Sequence, residues 1–492
     1  MLRWTALGAD RLAAASPART AAVAGATGLL LAAGSIAAAG PWQGGQRTAE
    51  RAAAAAPAPH TATPRPHPTA TPAPTPARRP AGLVLQAAGQ GTPPTRAGLA
   101  AVLAGPLADP TLGTLTVAVS DTASGTLLYG SGETVPATPA STTKLATTTA
   151  ALTLLGPDHR ITTRVVRGGG AGEVVLVGGG DPTLTALPAA KGATDPDSTP
   201  ASLRDLAART AAALKAAGTT SIRLGYDTSA YDGPVRHPYH DGVNIAPVSA
   251  LMTDEGRIDP RSTGPASRWS DPAGQAAEAF AQLLRAHGVT VSAVRPRTAP
   301  ANAAELARVQ SPTLARLIEQ LLTESDNDLA EAVARQVAVA AHKPVSFEGA
   351  AAAVRETLAR AGVPLGRTVL HDGSGLDRDN AIPPAVLTEL LALDASPAHP
   401  ELRPVLTGLP VAGFTGTLQD RYTSATGSHN AAGLVRAKTG TLNGVNTLAG
   451  LVVDHDGRLL AFALMARGGA DAGTVRAALD RIAVRVAACG CR

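Results

Sequence analysis

Strand-like sequence stands at both ends of the body of this chain, with helical sequence between, and that arrangement limits the fold most. TLTVAVSD (114–121) and GTLLYG (125–130) are β-rich runs joined through TASG, the pattern of a hairpin. Near the other terminus LVRAKTGT, TLAGLVVD and LLAFALMA read as three more strands, followed by a closing helix in DAGTVRAALDRIAVRVAA. Helical periodicity fills the middle, in SPTLARLIEQLLTES, DLAEAVARQVAVAAH and FEGAAAAVRETLARAG, and also begins at Ser141 in STTKLATTTAALTLL. Strands from both halves are expected to close into one antiparallel sheet flanked by helices, an α+β fold layered α/β/α. Aromatic residues are only 2% of the chain, so its core must be Ala, Val and Leu. The body starts near Arg96. Residues 95–165 plus 306–492 are expected to form the main domain, and 166–305 an inserted domain of mixed character, with helices in ASLRDLAARTAAALKAAG and DPAGQAAEAFAQLLRAHG.

The N-terminal residues read as an export element and a spacer. Residues 21–39 carry no charge and follow Arg3, Arg11 and Arg19. This apolar run is long for the core of a cleaved signal and short for a membrane span, and Ala37–Ala39 offer a small-residue cleavage site. A cleaved signal peptide and a retained membrane anchor in residues 1–40 therefore both stand. Residues 41–94, dominated by Ala, Pro and Thr, have little to bury and read as a disordered, partly polyproline-like linker. On either reading the body lies outside the cytoplasm, anchored or secreted. The net charge of +5 leans toward anionic surroundings such as wall polymers or lipid headgroups. No basic block is interleaved with aromatics, so a nucleic-acid partner is not expected. The only cysteines, Cys489 and Cys491, are too few to hold zinc, and in an oxidising compartment can pair with each other.

Three short stretches carry chemistry. In ASTTK, Ser141 and Lys144 stand three residues apart, on one face of a helix, so hydroxyl and amine can meet. A serine at a helix start also sits where backbone N–H groups can stabilise an oxyanion, and a neutral lysine can take its proton. Taken alone, Ser141 is more simply a helix cap. The second stretch, Ser325-Asp326-Asn327, lies between two helices, where capping again is the plain explanation. There Ser325 could relay a proton, and the Asn327 carboxamide could both donate to and accept from a substrate backbone. The third, Lys438-Thr439-Gly440-Thr441 in a late strand, combines a cation, hydroxyls and a glycine permitting close approach, which suits an edge strand binding a peptide carboxylate. Lysine usage favours the chemical reading. The chain has five lysines (Lys144, Lys191, Lys215, Lys343, Lys438) among 43 basic residues, and two of the five fall in these motifs. Arginine supplies charge elsewhere but cannot act as a base near neutral pH.

Ser-x-x-Lys, Ser-Asp-Asn and Lys-Thr-Gly in this order resemble the signature set of serine acyl-transferases that react with penicillin. From Ser141 to Ser325 is 184 residues, room for a separate domain, and from Ser325 to Lys438 is 113. With this spacing the chain resembles the D-alanyl-D-alanine carboxypeptidase/endopeptidase family of low-molecular-mass penicillin-binding proteins, class C type. LVGGGDPTL (176–184), APVSALMTDEG (246–256), SPTLARLIEQLLTESDN (311–327), HDGSGLDRDN (371–380) and GFTGTLQDRY (413–422) match that family's pattern over roughly residues 95–490. Two features depart from it: the insertion is shorter than in the larger members, and Asp377 stands where a serine is expected.

The resemblance implies a penicillin-binding/serine β-lactamase-like transpeptidase domain acting on peptidoglycan stem peptides that end in D-Ala-D-Ala. Ser141 would be the nucleophile and Lys144 its base. Ser325 would pass the proton to the departing amine, with Asn327 holding the substrate backbone and Lys144. Lys438 and Thr439 would meet the terminal carboxylate, beside Gly440, and the N–H groups of Ser141 and Thr441 would form the oxyanion hole. β-Lactams would acylate Ser141, and no metal or other cofactor is needed. Carboxypeptidase and endopeptidase action are both left open. A serine β-lactamase is the nearest alternative, but residues 356–360 (ETLAR) lack the Glu-x-x-Leu-Asn such an enzyme uses for deacylation. A catalytically silent wall-binding protein is the other. His237 and His240 have a ligand-like spacing without a visible third ligand and read as loop histidines, and Asp181 reads as a turn-former.

Overall fold

The computed structural model describes residues 91–189 and 195–491. The expected export element (1–40) and most of the expected linker (41–94) lie outside the described residues. Along the chain, α1 (Arg96–Leu107) precedes the hairpin β1 (Thr114–Asp121) and β2 (Leu127–Ser131), and then α2 (Thr143–Leu155). Next come β3 (Thr162–Arg167), β4 (Glu173–Val177), α3 (Leu203–Ala216), β5 (Ser221–Asp227), α4 (Pro272–Ala286), β6 (Thr290–Pro296) and β7 (Glu305–Gln310). Five helices follow: α5 (Leu314–Glu324), α6 (Asn327–Ala340), α7 (Phe347–Arg360), α8 (Pro384–Asp394) and α9 (Arg403–Gly408). The chain closes with β8 (Val435–Leu442), β9 (Val445–Val453), β10 (Leu459–Arg467) and α10 (Ala472–Ala487). Among the described residues no helix is long and apolar enough to cross a membrane.

The expected sheet forms from both halves of the chain, in the order β2-β1-β10-β9-β8, antiparallel throughout. Its two faces are sorted by the two-residue period of a strand. On β10, Leu460, Phe462 and Leu464 pack with Leu99 and Leu103 of α1 and with Val475 and Leu479 of α10. The alternate residues Ala461, Ala463 and Met465 join Ala449 against a helical cluster that includes Leu145 of α2, Val333 of α6 and Leu387 of α8. The small side chains on that face let the helices approach the sheet closely, and α2 carries the first motif. Helix α8 packs on β1 and β10 and is not among the expected helices. Its run PAVLTELLALD is apolar on nearly every side, so it has no amphipathic stripe to read.

A second sheet, β6-β5-β4-β3-β7, is built from Thr162 to Gln310, slightly wider than 166–305 at both ends. β4, β5 and β6 run parallel, and β3 pairs antiparallel with both β4 and β7. Leu206 and Leu214 of α3 and Phe280 and Leu284 of α4 share its core with Val174, Leu176 and Leu224. At the C-terminus Cys489 and Cys491 are joined as a disulfide, and the Cys491 carbonyl accepts the N–H of Thr95 at 2.8 Å.

Candidate active site

Ser141 lies in a single 3₁₀ turn, Ala140–Thr142, immediately before α2, so the helix begins two residues later than its periodicity implies. Ala140 adopts a left-handed φ of 48°, a conformation that local sequence does not favour and tertiary contact must hold. Two close approaches hold it. A Cβ on Gly375, whose φ is 85°, would lie 1.9 Å from the Ala140 carbonyl oxygen. A Cβ on Gly440 would lie 2.1 Å from Thr447 Oγ1 and 2.8 Å from the Pro139 carbonyl. Thr447 Oγ1 donates to that carbonyl at 2.8 Å, tying the turn to β9. Gly440 is thus needed so that edge strand β8 can lie against the turn bearing Ser141.

The three motifs meet through their two lysines. Lys144 Nζ donates to Ser141 Oγ at 2.9 Å, to Asn327 Oδ1 at 2.7 Å and to the Ser374 carbonyl at 2.8 Å. Lys438 Nζ donates to Ser325 Oγ at 2.8 Å and to the Thr439 carbonyl at 2.9 Å. Ser325 ends α5 in the left-handed region (φ 60°), and Asp326 caps α6 by accepting from Leu329 N, so the sharp turn between helices presents Ser325 and Asn327 together. Thr439 Oγ1 shares a hydrogen bond with Thr417 Oγ1 at 2.7 Å. A cavity of about 680 Å³ opens on this group, with Ser141, Ser325, Asn327, Thr439 and Thr441 in its wall.

Both lysines are wholly buried. Burial brings Lys144 down to about 8, against the opposing pull of Asp372, Asp326, Glu331 and Asp328. Burial, reinforced by the charge of Lys144, pushes Lys438 well below the ordinary lysine range. Lys144 can therefore be neutral in mildly alkaline solution, as a base for Ser141 requires.

Two buried clusters beside the site were not read from the sequence. In one, His237 Nε2 meets Asp372 Oδ2 at 2.9 Å, and His237 Nδ1 accepts the N–H of Tyr239 at 3.1 Å. Asp372 also accepts from Gly375 N, Asp377 N and Asn380 Nδ2. Burial opposes its ionisation, but the His237 bond and these donors hold it below the usual carboxylate range. Glu331 of α6 accepts from the N–H groups of Gly373 and Ser374. The histidine is thus a loop residue as expected, but a buried and bonded one. The second cluster joins Glu255, Arg257, Arg268, Asp326 and Asp328. Burial and the charge of Asp326 raise Asp328 to about 7. Only the adjacency of Asp326 and Asp328 to Asn327 was a signal for it.

The remaining candidates take plain roles. Asp181 accepts from Thr183 N and Oγ1 in a local turn, and burial raises it to about 6. Asp377 lies in the 372–380 loop, where its N–H serves Asp372 and its carboxylate accepts from Asp379 N. His240 Nδ1 accepts from Gly242 N. Glu356, in the region where a β-lactamase keeps its deacylating glutamate, is half-buried on α7 and bonded to Lys343 at 2.9 Å.

Known proteins share this architecture. The family described as D-Ala-D-Ala carboxypeptidase 3 (S13) matches residues 99–268 and 260–486. The carboxypeptidase DacB of Mycolicibacterium smegmatis is 40% identical over 404 residues, 81% of this chain and 85% of that protein. Penicillin binding protein 4 (dacB) of Haemophilus influenzae superposes with a TM-score of 0.63 at 23% identity, covering 79% of this chain and 97% of that one. The same protein complexed with a novel β-lactam superposes at 0.60 and 22% identity, with the same coverage of both chains. The fold is that of the penicillin-binding proteins.

Proposed function

The chain belongs to the D-Ala-D-Ala carboxypeptidase 3 (S13) family of serine peptidases, and from that premise we propose that it releases terminal D-Ala from peptidoglycan stem peptides through an ester on Ser141. The observation that carries this is the 2.9 Å contact between the buried Lys144 amine and Ser141 Oγ. Ser141 Oγ attacks the carbonyl carbon of the penultimate D-Ala while Lys144 takes the hydroxyl proton. The N–H groups of Ser141 and Thr441 face the developing oxyanion. Ser325, bonded to Lys438, relays the proton taken up by Lys144 to the departing amine as the C–N bond breaks, and D-Ala leaves. Asn327 holds the substrate backbone and Lys144, and Lys438 with Thr439 meets the terminal carboxylate. Water then cleaves the ester and restores Ser141. β-Lactams enter the same step and remain as an ester.

The second sheet from Thr162 to Gln310 would be an inserted domain on the peptidase domain. A family acting on peptidoglycan works outside the cytoplasm, and residues 1–40 would deliver this chain there as a cleaved signal or retained anchor. A larger leaving group, the amine of a cross-linked peptide, uses the same chemistry and would make the enzyme an endopeptidase as well. Purified protein incubated with peptidoglycan fragments tests both: D-Ala release and dimer cleavage are measured, and both are expected to vanish in Ser141→Ala. If Ser141→Ala keeps either activity, the nucleophile is elsewhere. If the wild type has neither and never labels with a fluorescent penicillin, the protein is a silent wall-binding member of the fold. Rapid turnover of the penicillin would instead mark a β-lactamase.

A further inference from the structure

Lys144 has three acceptors, and the two that are not the nucleophile are both braced from the segment 237–268 between β5 and α4, Ser374 being held by Glu331 of α6 as well. Asn327 is gripped on both sides. Its Nδ2 donates to the Asn244 carbonyl at 3.0 Å, which turns Oδ1 toward Lys144. The next residue, Asp328, accepts the N–H of Ala246 at 2.7 Å and meets Arg268 Nη2 at 3.0 Å. Arg268 Nη1 in turn donates to the Glu255 carbonyl at 2.7 Å, so one guanidinium spans two anchors. Ser374 is held more remotely. Asp372, two residues before it, organises the 372–377 loop and receives His237 Nε2 at 2.9 Å. Because the Tyr239 N–H occupies Nδ1, the His237 proton stands on Nε2, facing Asp372.

We propose that His237 and Arg268 are positioning residues for Lys144, so that the segment 237–268, part of which also lines the cavity, sets the place of the base. This rests on Lys144 being the base for Ser141. A buried ion pair such as Arg268–Asp328 contributes little net stability compared with apolar packing, so burial alone does not account for it. Both pairs also end beside an acceptor of Lys144: Asp328 follows Asn327, and Asp372 is two residues from Ser374. Glue between two packed surfaces has no reason to converge so. A lysine amine displaced by a fraction of an ångström from Ser141 would bind substrate normally and react slowly.

The test measures reversible binding and the acylation rate constant separately, with a fluorescent penicillin and the full chain. His237→Leu, which fills the space but cannot donate, and Arg268→Lys, which cannot reach both anchors, are expected to acylate about tenfold to a hundredfold more slowly. Their reversible binding is expected to stay near the wild-type value. His237→Gln, whose amide N–H can reach Asp372, is expected to recover most of the rate. Should His237→Leu fail to fold, Arg268→Lys and His237→Gln decide. Wild-type acylation in Arg268→Lys, or binding and rate falling together without rescue by glutamine, overturns the positioning role while leaving the acyl-enzyme intact. A Ser141→Ala protein that still labels overturns the acyl-enzyme reading, and the positioning role with it.

Discussion

Lys144 and Lys438 occupy pockets that match in burial and differ in charge. Each is fully buried, and each donates to a motif serine at under 3 Å. Four carboxylates act on Lys144, whereas the charge acting on Lys438 is the positive one of Lys144 itself. Burial alone would strip the proton from either amine, and the surrounding carboxylates decide how far that goes. Lys144 is thereby brought near the range that its proposed role as a base requires. Lys438, if it binds a carboxylate, needs the substrate to bring the counter-charge that its own pocket omits.

Arginine is the sharpest way to break this comparison, because it keeps the charge and forbids the loss of a proton. Lys144→Arg is expected to slow penicillin acylation by about 10² to 10⁴, the span usual for loss of a general base. Lys438→Arg is expected to cost about tenfold, since the cation survives in a tighter fit. Equal losses in the two variants would erase the functional distinction.

pH sharpens the contrast. Acylation should rise through a pH of about 8 as Lys144 loses its proton. Stability should move in the same direction. In the folded protein Lys144 titrates near 8 and in the unfolded chain near 10.5, so between those values the unfolded state holds the extra proton. Stability therefore increases with pH across that window, by an amount of about 3 kcal/mol at most. Lys144→Met should be more stable than wild type at neutral pH and lose that part of the slope. Denaturant titrations at several pH values measure it, and an unchanged slope would show that Lys144 is not desolvated as described.

The smallest expected effect belongs to Lys438. Binding of a D-Ala-D-Ala peptide to Ser141→Ala protein should draw up a fraction of a proton, as the carboxylate restores the charge of Lys438. Calorimetry in buffers of different ionisation enthalpy detects it. A peptide ester should show no uptake, and equal uptake by acid and ester would place the proton elsewhere.

What could be read in the sequence was whatever depends on near neighbours or on residue choice. Ser141 and Lys144 are three residues apart and must share a helix face, and the scarcity of lysine marked both amines. β-Rich runs at the two ends were enough to assemble the main sheet. What stayed hidden depends on tertiary contact. The pairing of His237 with Asp372 joins residues 135 apart, and nothing local announces it. Ser141 was read as a helix start, whereas it sits in a 3₁₀ turn held in shape by Gly375 and Gly440, residues far along the chain. The acidic and basic cluster around Asp326 was invisible because charged residues are ordinarily solvated, and here the segment 244–268 packs against α5 and α6 and buries them.

The bond from Thr447 to the Pro139 carbonyl ties positions 308 residues apart. It makes the site a late event in folding. Until β8 and β9 dock, the turn around Ala140 lacks one of its clamps and Ser325 lacks Lys438. The geometry around Ser141 is therefore complete only when the final strands close the sheet, and a chain cut short before β8 does not have it.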